Sequence, residues 1–416
     1  MFLVPFVIAC IVAILWSSEW NLHLHYYTFF VIIIGCLSFC IGDFIARKIK
    51  VNCIKTKNNN LYRVENWKLI LFALFSLVCY LWKIKCIKSF GLSHGYNTLF
   101  SSIGYLNHLA KFTTEEYIKY PGILSICLQL ITAAGFVWSC LLAITLVNKQ
   151  KKKGNQILIL INFIISIIGS MTSGGRGGAM QLIIAFMSIY LLMYIKNNKN
   201  IKKIPFKVIL KVIILIAITL YGFIFVMDYL GRQEIHMIGK YLANYIGAQI
   251  YNLDAYLSYN YKTSVIFGQE TFQPIILTIS KILGIAEWSN YKLDLPFIYA
   301  NSKTLGIINL GNVYTTFYAY IHDFGFLGII FFPFTIGFIS RIAYKIIKYD
   351  ENTTKVTIPI IVYSNIAYAL VFSYFSNKFF ELIITPNMIK KIILTYIILI
   401  YLYKIKVSRY QKGGTV

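Results

Sequence analysis

The sequence predicts an all-α, polytopic integral membrane protein of about ten transmembrane helices with one large outer loop. Three observations predict it. Of the 416 residues, 58% are hydrophobic and only 13% are charged, with a mean hydropathy of +0.67; soluble domains carry about twice that charged fraction. Apolar runs near the length of a bilayer crossing recur along the chain. Clusters of Lys and Arg fall between those runs at alternate ends, as the positive-inside rule requires. The net charge of +25 therefore reads as cytoplasmic anchoring and contact with anionic lipid heads. It does not read as nucleic-acid binding, since no basic groove or nucleic-acid fold signature accompanies it. All eight cysteines lie at or before Cys140, without a CxxC pair or metal spacing, and read as unpaired thiols.

The first run, Phe2 to Ser17, lacks a basic leader and a cleavage site and is expected to be a retained span. A turn at Ser18 to Asn21 leads to a second span, Leu24 to Ala46. The basic loop that follows (Arg47, Lys48, Lys50, Lys55, Lys57, Arg63 and Lys68, against Glu65) is assigned to the cytoplasm. The third span covers Trp67 to Trp82, and Lys83, Lys85 and Lys88 at its far end violate the rule locally. Residues 89–120 read as an outer loop with interfacial helical pieces. Pro121 starts a fourth span that reaches Val147. The fifth (Gln156 to Ser170) and sixth (Ala179 to Ile195) flank a glycine-rich turn. The seventh covers Pro205 to Met227.

Residues 228–324 hold six Lys/Arg and seven Asp/Glu, a balance unlike that of the basic inner loops. A structureless connection of this length is uncommon, so helices lying on the membrane surface are expected, with a re-entrant piece at Phe272 to Ile285. Gly325 to Ile347, Val356 to Tyr374 and Met388 to Tyr403 complete the count, with both termini inside. The chain thus divides into 1–227 with seven spans, 228–324 as the outer loop, and 325–416 with three spans and a tail.

Three stretches carry chemistry. Thr172-Ser173-Gly174-Gly175-Arg176-Gly177-Gly178 joins the fifth and sixth spans on the outer side. Successive amides in such a turn form an anion nest, the helix after it offers unpaired N–H groups, and Arg176 adds a donor fork suited to phosphate. Equally, Ser173 or Thr172 can be an ordinary N-cap. Asp228 and Arg232, four residues apart, suit an ion pair on one helical face; Arg232 is alternatively a second phosphate clamp, with Glu234 close by. His322 and Asp323 sit at the outer mouth of the eighth span, where histidine can exchange a proton and aspartate can orient it. Asp323 as a helix cap explains its position as well. No HExxH, Walker A, GxSxG or dinucleotide pattern occurs.

The layout, the Thr172–Gly177 turn, Gly231-Arg232 and the Asp323-Phe324-Gly325-Phe326-Leu327-Gly328 run resemble the bacterial O-antigen or capsular oligosaccharide repeat-unit polymerases, the Wzy family. The resemblance implies a glycosyltransferase of broadly GT-C-like architecture in the bacterial plasma (inner) membrane, with its active site facing the periplasm or exterior. Its substrates would be undecaprenyl-pyrophosphate-linked oligosaccharides. The growing glycan would pass from its lipid carrier to the next lipid-linked repeat unit, and Arg176 and Arg232 would bind pyrophosphate and sugar oxygens. Because pyrophosphate is already a competent leaving group, neither ATP nor another cofactor is implied. His322, Asp323, Asp228 and Glu234 are the alternatives for the proton acceptor. An O-antigen ligase and a lipid-linked polysaccharide flippase are the competing readings. Whether a polysaccharide chain-length regulator is a partner stays open.

Overall fold

In hydrocarbon every backbone N–H must find its carbonyl within the segment, so long apolar runs become helices. The computed structural model describes residues 1–51, 64–112, 118–148, 153–172, 174–198, 238–258, 267–285, 295–304, 306–350 and 354–404, with four isolated positions between 205 and 222. In chain order the helices are α1 (Leu3–Trp20), α2 (Tyr26–Lys48), α3 (Asn66–Ser93), α4 (Leu99–Phe112), α5 (Gly122–Val147), α6 (Lys153–Met171), α7 (Gly177–Asn197), α8 (Ile238–Ser258), α9 (Gln273–Leu283), α10 (Phe317–Tyr349), α11 (Ile358–Val371), α12 (Lys378–Leu382) and α13 (Pro386–Tyr403). Strands β1 (Ile298–Ser302) and β2 (Gly306–Gly311) pair antiparallel, with Ser302 opposite Gly306.

Among the described residues eight helices are long and apolar enough to cross a membrane: α1, α2, α3, α5, α6, α7, α10 and α13. Eight of the described helices thus stand against an expected count of about ten for the whole chain. The expected seventh span, from Pro205 to Met227, lies outside the described residues apart from isolated positions. The expected ninth is shorter than read, because α11 stops at Val371 and turns follow. The third is longer: α3 continues to Ser93 and carries Lys83, Lys85 and Lys88 on its last turns. The expected eighth span starts eight residues early, at Phe317. The outer loop was expected to be helical, and α8 and α9 are, but the hairpin β1–β2 stands between them and α10.

The chain forms two compact units. One comprises Met1–Lys55, Pro205–Asp350 and Val362–Ile389. Its core is the pair α2 and α10, which approach backbone to backbone. A Cβ on Gly42 would lie 2.0 Å from the Phe334 carbonyl oxygen, and one on Gly337 2.2 Å from that of Phe39. Small residues of this kind let membrane helices pack where no hydrophobic drive separates protein from lipid. Buried Asp254 on α8 fixes the start of α2, accepting from the His25 amide at 2.9 Å and the Thr28 hydroxyl at 2.5 Å. The hairpin docks on α8, where Asn252 Nδ2 donates to the Val313 carbonyl at 2.9 Å. It also meets Glu19 at the end of α1, which accepts from the Ser302 hydroxyl at 2.6 Å.

The other unit comprises Thr56–Ile204, Glu351–Ile361 and Lys390–Val416. Its central helix is α5, buried along Ala133, Ala134, Gly135, Ser139 and Ala143. Asparagines tie α6 to its neighbours: Asn155 Nδ2 donates to the Val64 carbonyl at 2.7 Å, and Asn162 Nδ2 to that of Leu69 at 3.1 Å.

Candidate active site

The glycine-rich turn belongs to the second unit. α6 ends at Met171, and the Gly174 amide closes back on the Met171 carbonyl at 2.9 Å. Gly174 has φ +74° and packs on α4, where a Cβ would fall 2.7 Å from that of Asn107. Only glycine meets both demands at low cost. Thr172 does not cap the next helix, since its hydroxyl donates to the Gly169 carbonyl at 2.7 Å. Ser173 lies outside the described residues. Gly175 is exposed, and Arg176, partly buried, occupies the N-cap position of α7. Gly177 and Gly178 open the first helical turn, whose amides have no intrahelical acceptor. Asp228, Arg232 and Glu234 lie outside the described residues, so the expected Asp228–Arg232 pair does as well.

His322 and Asp323 belong to the first unit. They sit on the first part of α10, just before a sharp kink at Gly325 with φ 60° and ψ −151°. That region of backbone space is open essentially to glycine alone. The kink turns the Phe317–Phe324 turns back on the rest of the helix, so that Tyr320 stacks on Phe332 at 5.0 Å between ring centroids. Around it Phe272, Phe324 and Phe380 all meet Phe332 and form an aromatic wall.

Against this wall a polar network is buried. His322 is 3% exposed, and its Nδ1 meets the Tyr256 hydroxyl of α8 at 3.0 Å. Its Nε2 is buried without a hydrogen-bond partner. Glu270 is 7% exposed. Its Oε2 accepts from the Tyr318 hydroxyl at 3.1 Å, while Oε1 is buried without a partner. Burial, offset in part by the Tyr318 hydrogen bond, pushes the Glu270 carboxyl up to about 7. The rings of Tyr256 and Tyr318 meet at 5.9 Å and link the two halves of the network. Buried polar atoms are nearly always paired, so two open atoms on ionisable side chains in one cluster make this the candidate site.

Asp323 has a different task. Its carboxylate accepts from the backbone amides of Thr271 at 2.6 Å and Glu270 at 3.2 Å. It does not cap α10, whose N-cap position is Thr316; it holds the segment that carries Glu270. Asn377 secures the same segment from the other side, donating to the Thr271 carbonyl at 3.0 Å and accepting from the Tyr320 hydroxyl at 3.0 Å. The sequence pointed to His322 and Asp323 but not to Glu270, Tyr256 or Tyr318. Glu270 stands next to the expected re-entrant piece, which was the one available signal.

No protein-family model, characterised protein or solved structure matches the chain.

Proposed function

We propose that this membrane protein is a glycosyltransferase that polymerises lipid-linked oligosaccharide repeat units at the outer face of the bacterial plasma membrane. The observation that carries the reading is the buried network of His322, Tyr256, Tyr318 and Glu270 beside the kinked mouth of α10, with open atoms on His322 and Glu270. A carboxyl poised at about 7 suits a general base working near neutral pH.

In the proposed reaction the anomeric C–O bond to the undecaprenyl pyrophosphate of the growing glycan breaks. A hydroxyl of the incoming lipid-linked unit forms the new C–O bond, and its proton passes to Glu270 Oε1. His322 presents Nε2 to a sugar oxygen. The resemblance gives the binding of the departing pyrophosphate to Arg176 and Arg232, whose guanidinium groups suit the charge that develops on it. Asp323 positions Glu270 and touches no substrate. The resemblance to the Wzy polymerases, carried by short motifs and by layout, supports the choice of substrate.

The test is reconstitution in proteoliposomes with undecaprenyl-pyrophosphate repeat units, with products resolved by size. A ladder from the wild type that is absent in folded His322→Gln supports the reading. Transfer to lipid A-core without a ladder makes the protein a ligase. Movement of intact lipid-linked glycan across the bilayer without new bonds makes it a transporter. Either of these two outcomes overturns the reading.

A further inference from the structure

The far end of α10 holds a second constellation, independent of glycosyl transfer. From Gly325 to Tyr349 the helix advances roughly 36 Å, so this end lies about a bilayer's thickness from the kink. There a cavity of about 320 Å³ opens, lined by Arg47, Arg341, Tyr344, Lys345, Lys348 and Tyr349. Four of these lining residues are cations and none is an acid. Its size falls at the low end of small-molecule sites.

The cations are held in place by the fold. Asp43, one turn before Arg47 on α2, accepts from Arg341 Nε at 2.5 Å and Nη2 at 2.8 Å. The same carboxylate accepts from Arg47 Nε at 2.9 Å and Nη2 at 2.6 Å. One acid thus aligns two guanidinium groups and offsets only one charge. The buried Lys345 ammonium donates to the carbonyl oxygens of Ala46, Arg47 and Ile49, at 3.2, 2.7 and 2.5 Å. Its three protons are committed to the end of α2, so it supplies field to the cavity. Arg341 lies over the Tyr344 ring at 5.3 Å. Lys348 is exposed and lies 5.9 and 5.7 Å from the rings of Tyr344 and Tyr349.

Aligned guanidinium groups beside an ammonium suit a phosphate. Tyrosine rings at a helix end suit the membrane interface. Exposed Ile41, Phe44 and Ile45 lie on α2 just before the cavity and offer an apolar track to acyl chains. The positive-inside rule assigns this end to the cytoplasmic leaflet, where anionic lipids concentrate. We infer that the cavity between the ends of α2 and α10 is a binding site for a phosphate-bearing anion, the headgroup of an anionic phospholipid.

The full chain is reconstituted in phosphatidylcholine nanodiscs containing a minor fraction of phosphatidylglycerol, and retained lipid is counted by native mass spectrometry. Wild type should enrich phosphatidylglycerol. The double variant Arg47→Gln/Lys348→Gln, at two exposed positions, should lose about tenfold of that enrichment. The charge-matched double Lys48→Gln/Lys50→Gln should keep it. In a second arm, inorganic phosphate is titrated into phosphatidylcholine-only nanodiscs. Phosphate binding that only the first double abolishes keeps the site and makes a soluble phosphate its source. Absence of both signals, signals unchanged in the first double, or equal loss in both doubles would overturn the proposal.

Discussion

Glu270 ionises near 4.5 in an unfolded chain and near 7 in the folded one, chiefly because burial penalises its charge. Between those values the folded state holds more protons than the unfolded state. Stability contributed by this residue therefore falls as pH rises from about 4.5 to about 7, by about 3 kcal/mol in all. Glu270→Gln should remove that fall, visible as a thermal midpoint in detergent that declines less with pH than in the wild type. An unchanged pH slope would mean that the carboxyl is not perturbed. For catalysis the sign is opposite: the base form accumulates as pH rises through about 7, so the polymerisation rate should climb between pH 6 and 8. Glu270→Gln should lower that rate by about 10²- to 10⁴-fold, the usual contribution of a general base. Asp323→Asn should loosen the 270–271 amides and reduce the rate less than Glu270→Gln does. His322 was visible in the sequence because a histidine at a span's mouth is conspicuous. Glu270 was not, because seven acids are spread through residues 228–324 and only burial distinguishes this one.

At the scale of elements, α10 carries His322 and Tyr318 of the site and packs along α2. Gly325 holds a backbone conformation that costs other residues about 1–3 kcal/mol, yet nothing lies within 4 Å of where its Cβ would be. Gly325→Ala should therefore lower the thermal midpoint through the backbone alone. It should also depress activity by relaxing the turn that carries His322; full activity would show that the kink is not required. Gly337→Leu acts by contact instead. Its side chain would enter the space of the Phe39 carbonyl, so it should part α2 from α10 and abolish the monodisperse peak in size-exclusion chromatography. Most spans were legible because hydropathy alone decides helix formation in lipid. The first turns of α10 were not: Thr, Tyr and His make residues 315–322 look like loop. The hairpin was missed because β1 and β2 are short and their turn lacks an Asn-Gly signal. The length of α3 was missed because tertiary burial of Lys83 (7% exposed) overrides the reading of lysine as a span terminator.

At the scale of the molecule, the positive-inside rule predicts which loops face outward. In a cysteine-free background, single cysteines at Gly175 and Lys303 should react with an impermeant thiol reagent added outside intact cells. Cysteines at Lys50 and Lys404 should not, and reversal of either pair would invert the topology on which an outer active site depends. The most direct test of the proposed chemistry is stoichiometry: lipid pyrophosphates released per glycosidic bond formed by the purified protein in lipid. One release per bond in the wild type, with neither event in folded Arg176→Ala or Glu270→Gln, is the predicted result. Release without chain growth, or chain growth undiminished in both variants, would contradict it.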